Sequence, residues 1–164
     1  KLISLHSLFK VIMGQMGPNE EALLDRALIA TYKAKGITPD SATHKKEPPL
    51  LEDLYKALIG MEEREASGLA ARLEKFVKGS MIGIFDQPTT VNITNPFTVF
   101  SIRDLDEAMR PIAMFIILDF IWTRIRSQLK QRMLIVDEAW HMMKYPDSAL
   151  FLWSIAKRAR KYWL

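Results

Sequence analysis

The sequence predicts an α/β fold in which a helical first half is followed by a strand–helix–strand crossover. Apolar residues keep helical spacing through most of residues 5–78. After Gly79 the pattern changes to short β-branched and aromatic runs. A long helix at 106–131 then leads to the apolar run 133–136, an order typical of a right-handed parallel crossover. The short runs that follow Gly79 are 82–86, 89–93 and 97–102.

Turn signals divide the first half into four predicted helices. Asn19 is predicted to cap the second helix and Gly36 to end it. Residues 37–49 contain three prolines and a polar stretch, and they are predicted to be a loop. We therefore expect two parts, an all-helical lobe at 1–79 and an α/β part at 80–164. The predicted helices of the lobe are 5–16, 19–36, 50–60 and 62–78, and a last helix is predicted at 146–162.

Composition favours a globular chain and excludes several kinds of site. Hydrophobic residues make up 49% and charged residues 26%, which is enough apolar material for a core and argues against disorder. There is no cysteine, so disulfides and thiolate metal sites are excluded. The three histidines have no metal-binding spacing, and His141 is predicted to be a neutral or surface residue. The net charge of +4 allows an acidic partner but also fits a solvated basic surface.

The most apolar stretch, 112–118, is predicted to be a buried helix rather than a membrane span. Asp119 interrupts it well short of the roughly 20 apolar residues that a span needs. The chain opens on Lys1 inside an apolar pattern, and we expect it to be cut from a longer protein.

Two adjacent acids, Asp137 and Glu138, follow the apolar run 133–136. At the carboxyl end of a parallel strand they would lie at the edge where open α/β sheets bind ligands. Asp137 is then placed to hold Mg²⁺ through a water, and Glu138 to polarise an attacking water as general base. The alternative is that both acids merely cap the next turn.

A phosphate-binding loop should accompany such acids, and this sequence does not contain one. None of its seven glycines begins or completes the pattern GxxxxGK[ST]. Either the acids are not a Walker B motif, or the loop lies upstream of a truncated start.

Several strings, in order along the chain, are similar to one family of bacterial proteins. The chain resembles the VirB/TraC-type conjugation ATPases of type IV secretion systems. The resemblance covers nearly the whole length and is more specific than two acids after an apolar run. The strings are EEALLD at 20–25, ALIATY at 27–32, DLDE at 104–107, RPIAMF at 110–115, LIVDEAW at 134–140 and KRARKY at 157–162.

The resemblance implies a RecA-like P-loop ATPase core, a partial parallel sheet with flanking helices, into which the helical lobe is inserted. It implies hydrolysis of ATP with Mg²⁺, by position through the Walker B acids Asp137 and Glu138. It also implies a peripheral protein at the cytoplasmic face of the inner membrane, which energises pilus assembly and substrate transfer. Such proteins work as oligomers, expected here to be hexamers, together with other secretion components. Without the phosphate-binding loop, the piece itself is expected to be inactive.

The basic run 157–161 has three interpretations. Arg158 or Arg160 could reach the γ-phosphate of a neighbouring subunit and stabilise transition-state charge. Residues two apart on a helix cannot both face one site. The same run could instead contact nucleic-acid phosphates, or simply be solvated.

Two other functions remain open on the sequence. One is a DNA translocase of the related HerA/FtsK class, which has the same acids. The other is a non-catalytic module in which the helical lobe, residues 5–78, docks other components of the apparatus. We also expect the piece to self-associate or to be poorly soluble, because a missing strand would leave an edge or an apolar face uncovered.

Overall fold

The computed structural model describes residues 2–79, 81, 86–91 and 94–164, and all regular structure in these ranges is helical. The chain divides into two compact units, residues 13–92 and residues 1–12 with 93–164. The α-helices are α1 (Leu2–Met13), α2 (Pro18–Ala34), α3 (Leu51–Ile59), α4 (Arg64–Val77), α5 (Arg110–Ser127), α6 (Trp140–Met143) and α7 (Pro146–Arg158), and 3-10 helices span Ser41–Lys45 and Ala159–Tyr162.

The predicted α/β class, with a RecA-like parallel sheet, is wrong, because no strand forms among the described residues. Residues 97–102 and 133–136 are non-helical and pair with no strand in the described part of the chain. The run 82–86 lies outside the described residues except for Asp86, and in 89–93 only 89–91 are described. An apolar run indicates only an extended local conformation. A sheet also needs a neighbouring strand whose backbone N–H and C=O groups pair with those of the run. The predicted division at residue 79 into an inserted lobe and a core stays a prediction.

The unit of residues 13–92 is built from α2, α3 and α4, which pack against one another. Each helix turns an apolar stripe inward at helical spacing, so the three stripes meet in one core. The predicted helices are therefore present, with ends that differ by a few residues. The side chains that are fully buried in this core include Leu24, Leu58, Leu69, Leu73 and Phe76.

Helix α2 shows how local chemistry sets both ends of a helix. It begins at Pro18, one residue before the predicted cap Asn19, because proline has the φ of a first helical residue. The Glu20 carboxylate accepts a hydrogen bond from the Gly17 backbone N–H at 2.9 Å. After the helix, Gly36 adopts a φ of 70°, which favours glycine. The predicted end of α2 at Gly36 is confirmed.

The end of α4 depends on a close backbone approach at Gly79. The backbone N–H groups of Lys78 and Gly79 both donate to the Glu74 carbonyl, at 2.8 and 3.1 Å. A Cβ atom on Gly79 would lie 2.7 Å from the Lys75 Cα atom. Only glycine therefore fits this turn without a shift of the backbone.

The other unit is organised around α5, which contacts α6 and α7. The Phe115 and Phe151 rings pack with centroids 4.5 Å apart. Helix α5 is shorter at both ends than the predicted 106–131. At its start the Arg110 guanidinium donates to the Leu105 carbonyl at 3.1 Å, which holds the preceding residues in a turn. In the described ranges no helix is both long enough and apolar enough to span a membrane.

Candidate functional site

Asp137 and Glu138 lie on an exposed turn, residues 137–139, between the non-helical residues 129–136 and helix α6. We call residues 137–139 the acidic turn, and we refer to the non-helical residues before it as the 129–136 segment. The Asp137 Oδ1 atom accepts a hydrogen bond from the Glu138 backbone N–H at 2.9 Å. The His141 backbone N–H donates to the Glu138 carbonyl at 3.0 Å, which starts α6. Both acids thus contribute to the turn, and both side chains stay accessible.

Glu138 has a left-handed backbone, with a φ of 53°. This conformation costs a residue with a side chain roughly 1–2 kcal/mol, so it needs local support. The hydrogen bond from its N–H to Asp137 is one support. The other is a side-chain hydrogen bond, in which the Trp140 indole Nε1–H donates to the Glu138 Oε2 atom.

Trp140 is itself held by two further neighbours, His141 and Lys144. Its ring stacks on the His141 ring, with centroids 3.7 Å apart and planes inclined by 26°. The Lys144 Nζ atom lies 4.8 Å from the Trp140 centroid, within the range of a cation–π contact. Lys144 Nζ also donates to the Glu107 Oε1 atom at 2.7 Å. The Lys144 ammonium hydrogen-bonded to Glu107 holds the pKa of that carboxyl below its ordinary value.

The sequence analysis did not predict the burial of His141 and of Ser148. His141 is only 3% exposed, which excludes the surface position among the two predicted alternatives. Its Nδ1 atom and the Ser148 Oγ atom are buried without a hydrogen-bond partner among the residues that the structure describes. The apolar neighbours of His141 in sequence, Trp140 and Met142, were the available signal.

The two predicted arginines differ in their surroundings. The Arg158 Nε atom donates to the Ser154 carbonyl at 3.0 Å, and its Nη2 atom donates to the Ser154 Oγ atom at 2.7 Å. The Arg158 guanidinium also lies 5.5 Å from the Trp122 ring centroid. Arg160 is exposed, and its guanidinium makes no hydrogen bond or ion pair within the described ranges. No described hydrogen bond or ion pair joins either arginine to the acidic turn, so their catalytic role stays a prediction.

The donor chemistry of the acidic turn fits a magnesium ion that keeps most of its water. Mg²⁺ is commonly bound through one or two carboxylates plus waters and phosphates. Asp137 has one carboxylate oxygen in the turn and a second that makes no hydrogen bond to described residues. No group of three or more His, Asp or Glu side chains that could hold a metal occurs among the described residues. The turn therefore fits a water-mediated site and not a cage of protein ligands.

Comparison with known proteins identifies a solved structure with a similar fold. No family model matches the chain, and no curated protein matches it. A solved structure does, the VirB4 protein of Thermoanaerobacter pseudethanolicus, with a TM-score of 0.88 over 99% of this chain and 25% sequence identity. The chain has the fold of the part of VirB4 that it matches. The predicted resemblance to the VirB/TraC-type conjugation ATPases is confirmed, and the chain spans 46% of the VirB4 chain that it matches.

Proposed function

We propose that the chain is part of an ATP-hydrolysing motor subunit of a bacterial type IV secretion or conjugation system, which energises pilus assembly and substrate transfer. The likeness to VirB4 over 99% of the chain carries this proposal. The accessible Asp137 and Glu138 at the acidic turn support it, because these are the residue types that such hydrolysis needs. The phosphate-binding loop is not in these residues, so we assign ATP binding and hydrolysis to a longer parent protein.

Each acid has a separate task in this proposal. Asp137 would hold a hydrated Mg²⁺ through the carboxylate oxygen that makes no hydrogen bond to described residues. Glu138 accepts a proton from the attacking water as general base. Mg²⁺, when bound, neutralises charge on the β- and γ-phosphates of the substrate ATP. The two side chains leave the turn from consecutive residues, which lets one face the ion and the other the water.

An arginine from a neighbouring subunit would complete the site in the oligomer, expected to be a hexamer. Of the two candidates, Arg160 has the better support, because its guanidinium has no described partner. Arg158 would first have to give up two hydrogen bonds to Ser154. We propose Arg160 as the residue that acts in trans and Arg158 as the residue that fixes the end of α7.

The location and partners of the parent follow from the same proposal. We place it peripherally at the cytoplasmic face of the inner membrane, next to other secretion components. The three-helix unit of residues 13–92 is the proposed docking surface for those components. If only this docking survives in the isolated chain, the chain is a non-catalytic interaction module.

A second candidate function, a DNA translocase of the HerA/FtsK class, is favoured by one observation. Residues 120–136 and 148–164 contain eight basic side chains and no acidic one. The two stretches are in contact, since the Arg132 backbone N–H donates to the Trp163 carbonyl at 2.9 Å. None of the eight forms an ion pair with a described residue, which leaves their charge available for phosphates. The eight are Arg124, Arg126, Lys130, Arg132, Lys157, Arg158, Arg160 and Lys161.

Calorimetric titration with a nonhydrolysable ATP analogue and Mg²⁺ tests the main proposal. We expect the parent to bind the analogue and the 164-residue chain to bind it weakly or not at all. In the parent, Glu138→Gln should keep binding and lower kcat on the order of 10²- to 10⁴-fold. Equal tight binding by the short chain, or an unchanged kcat in Glu138→Gln, contradicts it. DNA affinity that falls steeply with salt would favour the translocase instead.

A further inference from the structure

We propose that Trp140 is a positioning residue for Glu138, one that anchors one carboxylate oxygen and leaves the other to accept the proton of the attacking water. The inference rests on the proposed function. Its basis is the hydrogen bond from the Trp140 indole Nε1–H to the Glu138 Oε2 atom. That bond leaves Glu138 Oε1 without a described partner.

Glu138 is fixed at both its backbone and its side chain. Its backbone adopts a φ of 53°, supported by the 2.9 Å hydrogen bond to Asp137 Oδ1. The side chain would otherwise have several rotamers in water, because the turn is exposed. The indole bond selects one of them. A general base needs such a fixed position, because a misplacement of about 1 Å can cost on the order of 100-fold in rate.

The orientation of Trp140 is set by contacts and not by burial, since the residue is 50% exposed. The stacked His141 ring supports it on one side and is itself buried. Lys144 lies over the indole, and its ion pair with Glu107 restricts where the ammonium can lie. The indole N–H is therefore held in place while the ring edge remains beside solvent.

An indole suits this position because it can donate a hydrogen bond but cannot accept a proton or carry a charge. It is a donor only and stays neutral, so it neither takes the proton from Glu138 nor cancels the carboxylate charge. A lysine in the same place would donate as well, but it would pair with the carboxylate and weaken it as a base. Lys144 is kept from that role by Glu107.

In the proposed hydrolysis step, Glu138 takes a proton from the water that attacks ATP. One water proton passes to Glu138 Oε1 while the water oxygen forms a bond to the γ-phosphorus. The bond from that phosphorus to the bridging oxygen breaks, and its electron pair leaves with ADP. Trp140 takes no part in bond making and acts only through Glu138.

A double-mutant cycle in the parent ATPase tests this role. Trp140→Phe keeps an aromatic ring and removes the N–H, so we expect kcat to fall by about 10- to 100-fold with KM for ATP unchanged. In the Glu138→Gln background the same change should have almost no further effect on kcat, because Trp140 acts through the carboxylate. Multiplied losses in the double variant would mean a general structural role and would overturn the proposal. Trp153→Phe is the matched control, since Trp153 is 58% exposed and should leave kcat unchanged.

The contact itself is tested in the 164-residue chain by the NMR signal of the Trp140 indole N–H. We expect the signal to move in Glu138→Ala and to stay close to its original position in Glu138→Gln, whose amide oxygen still accepts the bond. The Trp153 signal should not move in either variant. A Trp140 signal that is unaffected by Glu138→Ala overturns the proposal. If that signal moves but the parent hydrolyses no ATP, the hydrogen bond between Trp140 and Glu138 is confirmed. The proposed function is then contradicted, and so is the role of Trp140 as a positioning residue.

Discussion

Asp119 is an acidic residue whose charged form is disfavoured by burial. It lies in the middle of α5, between buried Leu118 and Trp122, and forms no hydrogen bond or ion pair with a described side chain. Burial raises the pKa of the Asp119 carboxyl above its ordinary value of 3.8, and the attraction of Arg126 offsets this only in part. The protonated form is therefore favoured by folding. As pH rises from 3.8 through the raised pKa of Asp119, the folded state loses stability.

We predict that Asp119→Asn raises the free energy of unfolding at neutral pH by up to about 1 kcal/mol, a small value because the group is only half-buried. The amide has the shape of the acid but carries no charge to desolvate. Below pH 3.8 the gain should disappear, since the carboxyl is then protonated in both states. Urea unfolding across this pH range measures the effect. The exposed Asp104→Asn is the control, and a gain that persists at low pH contradicts the explanation.

At the site, the sequence predicted that the two acids follow an extended run, but neither their surroundings nor how they are held. The predicted position of Asp137 and Glu138 at the carboxyl end of a parallel strand is wrong, because they lie on an accessible turn after a run that forms no strand with the described residues. The left-handed backbone of Glu138 and its bond to Trp140 could not be predicted. These depend on rotamers and on the stack with His141, which no periodicity encodes. The catalytic roles of the acids stay predictions.

Two glycines, one within α4 and one just after it, have opposite surroundings. Gly68 lies in the exposed interior of the helix, and a Cβ atom there would meet no atom within 4 Å. Gly79 follows the helix, and a Cβ atom there would meet the Lys75 backbone. A side chain would therefore fit at position 68, whereas the turn requires glycine at position 79.

We predict opposite effects for the two alanine variants. Gly68→Ala should stabilise the unit of residues 13–92 by about 0.5–1 kcal/mol, because alanine favours the helix and restricts the unfolded chain. Gly79→Ala should destabilise it by about 1–3 kcal/mol, because the backbone must move. Thermal unfolding followed by circular dichroism gives both values. Equal effects of the two variants would rule out the close approach at Gly79.

The helices were predictable and the strands were not, for one physical reason. A helix satisfies its backbone within itself, so α2 follows from the apolar stripe between Pro18 and Gly36. A strand needs a partner, which the sequence of the run 133–136 cannot supply. That run does show the side-chain alternation of an extended chain, with Met133 and Ile135 exposed and Leu134 and Val136 half-buried.

On the scale of the molecule, exposed apolar side chains on the 129–136 segment make self-association the expected behaviour. Met133 and Ile135 are 86% and 81% exposed. The segment makes one backbone hydrogen bond to the rest of the described chain, from Arg132 to Trp163. Unpaired backbone groups beside apolar side chains favour pairing with a second copy.

We predict that the double variant Met133→Lys and Ile135→Lys weakens self-association by more than about tenfold, because two large apolar contacts are lost and like charges face each other. Sedimentation velocity over a range of protein concentrations measures this. The control adds the same charge elsewhere, as Ser67→Lys and Ala71→Lys on the exposed face of α4. Equal weakening in the control would point to net charge alone.

The division into two units has a consequence for spectroscopy. All four tryptophans lie in the unit that contains residues 93–164, whereas the helices that produce circular dichroism occur in both units. Tryptophan emission therefore reports on one unit only, and ellipticity reports on both. If the two signals change at the same denaturant concentration, the units unfold together. If emission changes alone, the three-helix unit of residues 13–92 persists after its neighbour has unfolded.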